Sequence, residues 1–540
     1  MSRLFLGIVL WLAWTKSLIA FPVTFPDSPV VITELPPSIT GLDRGVARTL
    51  VRDSRYYLYT IFSITESIEV YRSTDNGASW HPFGIPGGKL RWNDNGVYSP
   101  CIAIDQGDTL YAAWNRAYMD SIRGSVSAVY WNKHNGQSWA TQETLTRDLQ
   151  TTLWNIKPSL TVDINSKVHA VWTGGLDLYG SHTIAYTYLR PEGVWNWPIE
   201  DVGEHPNGTG DACVSSNLIG DGVGNLHLGY EYIWLDYYSF ARYRKRWAGG
   251  TWGSIEDLSI SPWDSTYSAP SITLIPGDTI PHATFTESAP YQPPGNHSRI
   301  FYRFGTDTLW SRPVELIPFR EYSDTWNIVL SADRQGHLYT AWTYVQTYPA
   351  NGRRAAENIW MREQEYPPFW REPFKVTNDT IIQGVYPTRL NDYPSLGYPV
   401  TENGVEITWL RTTYDTTTGQ HYYLMYHRLP SLLGVEHEKE KDPPRKPEIT
   451  LTPRPNPARG EMEITYGIQA SSKQETVNLT IYNLVGERVR TLVHGPTPAG
   501  VYKVRWNGKD ERLKEAPSGT YFFQLTVGSK QVIKKGTFIR

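Results

Sequence analysis

The 540-residue chain carries 51 Lys+Arg against 54 Asp+Glu, two cysteines and 13% aromatics, mostly Tyr and Trp. That length holds two or three domains, and the aromatic bias favours strands and ring-lined surfaces over helices. The basic residues are scattered rather than massed in a stripe, so no nucleic-acid partner is implied.

In chain order, Met1-Ser-Arg3 and the apolar run at 4–14 lead to Ala20 and read as a secretory signal, although Leu18 stands where a small residue is preferred. The run is too short for a convincing membrane span. Export with a soluble mature chain is the expectation.

Residues 21–430 are built on a repeat. The strands "LYTIF" (58–62), "LYAAW" (110–114), "VHAVW" (168–172), "LHLGY" (226–230), "PHATF" (281–285), "LYTAW" (338–342) and "VEITW" (405–409) align. Their second residues are Tyr59, Tyr111, His169, His227, His282, Tyr339 and Glu406, separated by 52, 58, 58, 55, 57 and 67 residues. Each is followed three positions on by an aromatic, from Phe62 to Trp409. An apolar strand precedes each, ending in five repeats at an Asp six residues upstream (Asp53, Asp105, Asp163, Asp221, Asp333), which suits a tight hairpin. A third strand follows, then a Trp-led fourth at Trp80, Trp139, Trp197, Trp252, Trp310 and Trp370.

Four short antiparallel strands repeated at this period predict an all-β, seven-bladed β-propeller; six blades plus an irregular sheet is the alternative. The seventh repeat lacks a fourth strand, and "SPVVITEL" (28–35) is expected to supply it and close the ring. Cys101 and Cys213 fall two blades apart, too far to bridge, and are expected as buried thiols.

Residues 431–450 are charged and Pro-rich, as a linker would be. Residues 451–540 alternate like an Ig-like sandwich, and residues 441–540 carry 17 Lys+Arg against 9 Asp+Glu.

The segment "STDNGASW" (73–80) places Ser73, Asp75, Gly77 and Trp80 in the pattern S-x-D-x-G-x-x-W. On this motif and the period, the propeller resembles the sialidase/BNR-repeat superfamily, whose Asp box is a structural hairpin between strands three and four. "NKHNGQSW" (132–139) is a degenerate copy with His134 at the Asp position. The resemblance implies, for a working sialidase, three arginines on the substrate carboxylate, a Tyr–Glu pair and an Asp acid. Arg48 matches one of those arginines, at one residue's depth. Arg91, Arg116, Arg299, Arg389 and Arg411 have no family context, and Tyr393 with Glu406 is the weakest Tyr–Glu pair.

His169, His227 and His282 align like a metal set, but Tyr fills the same site in three blades, so a packing position is expected and no metal or cofactor is assigned. "NDNG" (93–96) and "DINSK" (163–167) read as turns rather than Ca²⁺ loops. The clusters "GVWNW" (193–197), "YEYIWLDYY" (230–238) and "YPPFW" (366–370) exceed obvious packing needs. The mouth is expected to be set by Arg48, Ser99, Lys157, Asp211, Ser271, Asn327 and Ser395 at the inner-strand starts.

In the tail, PNP (455–457), Y-N-x-x-G (482–486), W-N-G-x-D (506–510) and P-S-G-x-Y (517–521) occur in order. This series is similar to the Ig-like domain of flagellar hook-assembly proteins and to the type IX secretion sorting domain. The resemblance implies outer-membrane passage, the secretion machinery as a partner, and release or surface attachment. The sequence thus points to an exported or cell-surface propeller that binds glycan or another extracellular polymer. The alternatives are a sialidase-like glycoside hydrolase or polysaccharide lyase, and a structural surface component.

Overall fold

The computed structural model describes residues 28–35, 48–64, 67–88, 94–120, 124–146, 154–175, 182–204, 212–234, 238–260, 266–288, 298–305, 310–317, 323–347, 354–366, 369–378, 389–401, 404–415, 419–430, 449–455, 458–468, 475–484, 486–497, 500–527 and 530–540. The expected signal at 1–20, most of the expected linker, and Arg91 and Asp211 lie outside the described residues. All regular elements among the described residues are strands.

Hairpin turns at the repeated Asp residues fold each repeat into an antiparallel sheet ordered as the chain runs. Blade 1 comprises Leu50–Arg52, Leu58–Ile64, Ser67–Ser73 and His81–Gly84. Blade 2 comprises Asp94–Ile104, Leu110–Asp120, Gly124–His134 and Glu143–Thr144. Blade 3 follows as Asn155–Val162, Val168–Gly175, His182–Tyr188 and Glu200–Asp201, and blade 4 as Ala212–Gly220, Leu226–Trp234, Tyr238–Arg246 and Trp252–Asp257. One parallel bridge, His182 to Ala212, joins these two sheets.

In blade 5 the inner strand is split into Thr266–Tyr267 and Ser271–Leu274, before Pro281–Ser288, Ser298–Phe304 and Val314–Ile317. Blade 6 has Ser323–Ala332, Leu338–Thr347 and Arg354–Tyr366, with short outer strands Phe369–Trp370 and Phe374–Lys375. In blade 7, Arg389–Leu396, Val405–Asp415 and Gly419–Leu429 are completed by the N-terminal strand Val30–Leu35, paired antiparallel to Gly419–Leu429. The propeller therefore has seven blades, closed by its own N-terminus.

The core is divided into wedges between successive blades. Ile102 and Trp114 pack against Val51 and Tyr59, and the pattern passes round to Trp80 and Phe62 of blade 1 against Leu424 and Tyr426 of blade 7. The seven repeated aromatics are all at most 2% exposed, so each blade contributes one large ring to its neighbour's wedge. Cys101 and Cys213 are free and buried, and burial pushes the Cys101 thiol up to about 12.

The tail forms two packed sheets. One holds Ile449–Arg454, Met462–Ile468 and Gly500–Trp506; the other holds Ala458–Arg459, Glu475–Asn483, Arg488–Thr497, Gly519–Val527 and Lys530–Ile539. The tail motifs have mechanical roles. Trp506 is the fully buried centre, and its indole donates to Lys509 O (2.9 Å). Asp510 Oδ1 accepts from the amides of Arg512 and Lys514 (2.9 and 2.8 Å), Asn483 Oδ1 from Glu487 N (2.9 Å), and Tyr521 donates to Pro517 O (2.6 Å).

Candidate functional site at the axial mouth

Each inner strand begins at one end of the ring, and in five blades it is bulged there. Ser99, Lys157, Ser215, Asn327 and Tyr393 all have positive φ (49 to 55°), and strand register shifts beside each. Such bulges re-aim side chains at the cost of local strain. Here all five residues line a single cavity of about 60 Å³, together with Pro100, Pro158, Ser216, Ile328, Pro394 and Ser395. That volume holds a few waters, so a larger ligand must lie across the mouth rather than inside it.

The register makes Ala269 the corresponding position in blade 5; in blade 1 it falls on Ala47, outside the described residues, and Arg48 aligns instead with the residue after the bulge, such as Pro100 or Pro158. This corrects part of the expected mouth. In blade 4 the position belongs to Ser215 rather than Asp211. Ser271 and Ser395 sit two residues further along, where they stitch neighbouring blades. Ser271 Oγ accepts from Leu330 N (3.0 Å) and Ser395 Oγ from Thr49 N (3.3 Å). Ser159 Oγ accepts likewise from Leu218 N (3.3 Å), and Asn217 Oδ1 from Ile272 N (3.0 Å).

Lys157 is a charged residue that lines the cavity; Asp392, next to Tyr393 in the chain, is not among the lining residues and braces them from behind. Lys157 Nζ donates to Ser215 Oγ (3.1 Å). Asp392 Oδ1 accepts from Trp326 Nε1 (3.2 Å), Asn327 Nδ2 (2.7 Å), Thr343 Oγ1 (2.7 Å) and the Tyr393 amide (2.8 Å). Four donors on one oxygen fix this carboxylate and tie blade 6 to blade 7.

Arg48 is not among the residues lining the cavity. Its guanidinium lies 4.2 Å from the Tyr398 ring centroid, and the Tyr398 hydroxyl donates to Leu274 O of blade 5 (3.1 Å). Burial pulls Arg48 down to about 10, against the opposing effect of Tyr398. Tyr393 and Glu406 are not brought together. Glu406 pairs beside Gly397, four residues or roughly 13 Å along the strand from Tyr393. Glu406 is instead buried between Arg52 and Arg428. Arg299 pairs with Glu287, and Arg116 is buried in blade 2. Arg411 is part-buried, and the side chain of Arg389 lies outside the described residues.

The remaining candidates sit in the blades. In the Asp box, the Gly77 amide donates to Ser73 Oγ (2.8 Å) and the Ser79 amide to Asp75 Oδ1 (2.9 Å). Burial raises the Asp75 carboxyl, but bonds from the Ser79 hydroxyl and amide and from the Ser73 hydroxyl outweigh it and hold it below its usual range. Trp80 donates to Gly77 O (3.2 Å) and packs edge-on against Tyr426, 5.1 Å between centroids. In the degenerate copy, His134 Nδ1 accepts from Gly136 N (3.1 Å).

The aligned histidines are hydrogen-bonded links. His169 and His227 contact Asp163 and Asp221 through Nε2 (3.2 and 3.3 Å) and Tyr186 and Tyr243 through Nδ1 (2.9 and 2.7 Å). His282 bonds Tyr302 through Nδ1 (2.7 Å), while its Nε2 has no partner among the described residues. In blade 3 the Trp that bridges to strand three is Trp195, not Trp197, which is 49% exposed. In blade 4, Tyr232 stacks on Phe240 (5.8 Å) and Trp234 lies against Tyr238 (5.9 Å) near the mouth-side end of one hairpin.

Fold and site together define a seven-bladed propeller with a small axial cavity of mixed polar and apolar lining, followed by an Ig-like domain. The FlgD Ig-like domain family model matches residues 454–531. No curated protein matches the sequence. Among solved structures, the chain is similar to a Trypanosoma rangeli sialidase in complex with difluorosialic acid (11% identity, TM-score 0.39, covering 94% of this chain and 88% of that one). It is also similar to a Penicillium chrysogenum α-L-arabinanase complexed with arabinobiose (10% identity, TM-score 0.38, 74% and 97% covered). A third is a protein of unknown function from Dyadobacter fermentans (10% identity, TM-score 0.40, 59% and 95% covered).

Proposed function

We propose that this is an exported carbohydrate-binding protein, with glycan lying across the axial mouth of the propeller. The observation that carries this reading is the convergence of five bulged residues, Ser99, Lys157, Ser215, Asn327 and Tyr393, on one small cavity that mixes these polar groups with apolar walls such as Pro100, Ile328 and Pro394. Hydroxyl, amide and ammonium groups beside a tyrosine are what a sugar's hydroxyls and apolar face require, and the cavity is too small to swallow a ring. The aromatic pairs of blade 4 extend that chemistry outward. The amino-terminal signal pattern and the ordered tail motifs support export, with residues 451–540 as a type IX-like address or anchor.

A glycan array probed with the full chain, alongside Lys157→Ala and Asn327→Ala, tests this. A glycan retained by the wild type and lost in both variants is the expected result. Release of reducing ends or unsaturated products by the wild type, abolished by Asp392→Asn, would replace binding with catalysis at the same mouth.

A further inference from the structure

A second concave surface lies at the opposite end of the blades, where the inner strands finish. It sits about six residues, or roughly 20 Å, along the blade 3 inner strand from Lys157. Tyr111 and Lys133 of blade 2, register partners on adjacent strands, form one side. The other is formed by the Asn165–Val168 turn and the Tyr188–Gly193 segment of blade 3. The groove encloses about 710 Å³, within the range of ligand clefts.

Its charge contrasts with its surroundings. Residues 1–440 hold 34 Lys+Arg against 45 Asp+Glu, yet the groove is lined by Lys133, Lys167 and Arg190 against one carboxylate, Glu192. Neither lysine has a carboxylate in salt-bridge contact among the described residues. Two nearby acids are engaged elsewhere. Asp163 takes His169 and the amides of Asn165 and Lys167; Glu200 takes the Trp252 indole (2.9 Å) and Arg246 (3.7 Å). Lys167 Nζ rests 3.3 Å from the Tyr188 ring centroid. Burial, and then Arg246, lower its pKa, against the opposing effects of Asp163 and Glu200. Arg190 is held by Asn196 Oδ1 through Nε and Nη2 (3.1 and 2.7 Å).

We infer that this groove is a second binding site, for an acidic polysaccharide whose carboxylates meet Lys133 and Lys167 from opposite walls. Its polysaccharide identity rests on the proposed carbohydrate reading; its position and charge do not. Cations on both blades, facing each other across the groove, fit successive uronate units better than a single small anion.

The test is affinity electrophoresis of the full chain in gels containing polygalacturonate, neutral dextran or polyglutamate. Salt-sensitive retardation by polygalacturonate is expected, weakened on the order of tenfold in Lys133→Gln/Lys167→Gln and unchanged in Lys157→Ala. Unchanged melting of the double variant would separate lost binding from lost folding. Wild-type affinity in the double variant, or equal retardation by polyglutamate, would overturn the inference. Loss of array binding in Lys157→Ala with polygalacturonate binding intact would separate the two sites. An array without any mouth ligand, alongside polygalacturonate binding that needs Lys133 and Lys167, would sink the mouth assignment alone.

Discussion

At Gly77, φ is +91° and an added Cβ would sit 1.9 Å from Cε1 of Tyr426, a residue of blade 7. The Asp box therefore does more than turn a hairpin: it lets blade 1 meet blade 7 at the closure. Gly77→Ala should destabilise the propeller by about 2–4 kcal/mol, combining a disfavoured φ with overpacking, as read by urea denaturation. A cost below about 1 kcal/mol would show that Tyr426 yields freely. The buried imidazole of His282 makes a pH prediction. Burial holds its pKa at about 4, below the unfolded value of about 6.5, so the unfolded chain binds the extra proton. Its contribution is fully present above pH 6.5 and is lost as pH falls from about 6.5 to about 4. Asp221 adds a later phase. Burial raises it, but bonds from His227 and Asn225 hold it at about 2, so its contribution fades below about pH 4. His282→Phe should flatten the slope of stability against pH between 6.5 and 4, whatever its cost at pH 7. An unchanged slope would assign that titration to other groups.

Within a blade, residues vary in pairs. Where the second strand carries His169, His227 or His282, the third carries Tyr186, Tyr243 or Tyr302 to bond it. Where it carries Tyr59, Tyr111 or Tyr339, its hydroxyl reaches Asp53, Asp105 or Asp333 instead. The corresponding third-strand residue is then Val70, Trp131 or Met361. His227→Tyr alone should cost about 2–3 kcal/mol by crowding Tyr243, and Tyr243→Val in the same chain should recover at least half. A double-mutant cycle with no coupling would refute the pairing. The second-strand alternation, its Asp partner and the closing strand were legible in the sequence because each depends on residue type at fixed spacing. The bulges were not: Ser, Lys and Tyr give no hint of positive φ. One signal was present and missed, the prolines Pro100, Pro158, Pro270 and Pro394 immediately after the bulge position, since Pro within a sheet marks an edge or a bulge. Arg48 looked chemical because its neighbour in space, Tyr398, is 350 residues away in sequence.

At the scale of the whole molecule, seven wedges and one seam hold the ring, and the seam is the strand Val30–Leu35. Removing residues 28–35 should bare an edge of blade 7 and turn the propeller into an associating species on size exclusion. A peptide of that sequence added in trans should reverse it. A truncated chain that stays monomeric with an unchanged melting temperature would refute the seam. The same pairing has a mechanical consequence. The chain leaves blade 7 from Gly419–Leu429, and that strand is flanked on one side by Val405–Asp415 and on the other by Val30–Leu35. If the tail tethers the protein to a surface, tension enters the propeller along a strand gripped by hydrogen bonds on both sides. Such a load is borne in shear across two ladders at once rather than by unzipping a single edge. A ligand held across the mouth could then be pulled against flow without the ring opening first.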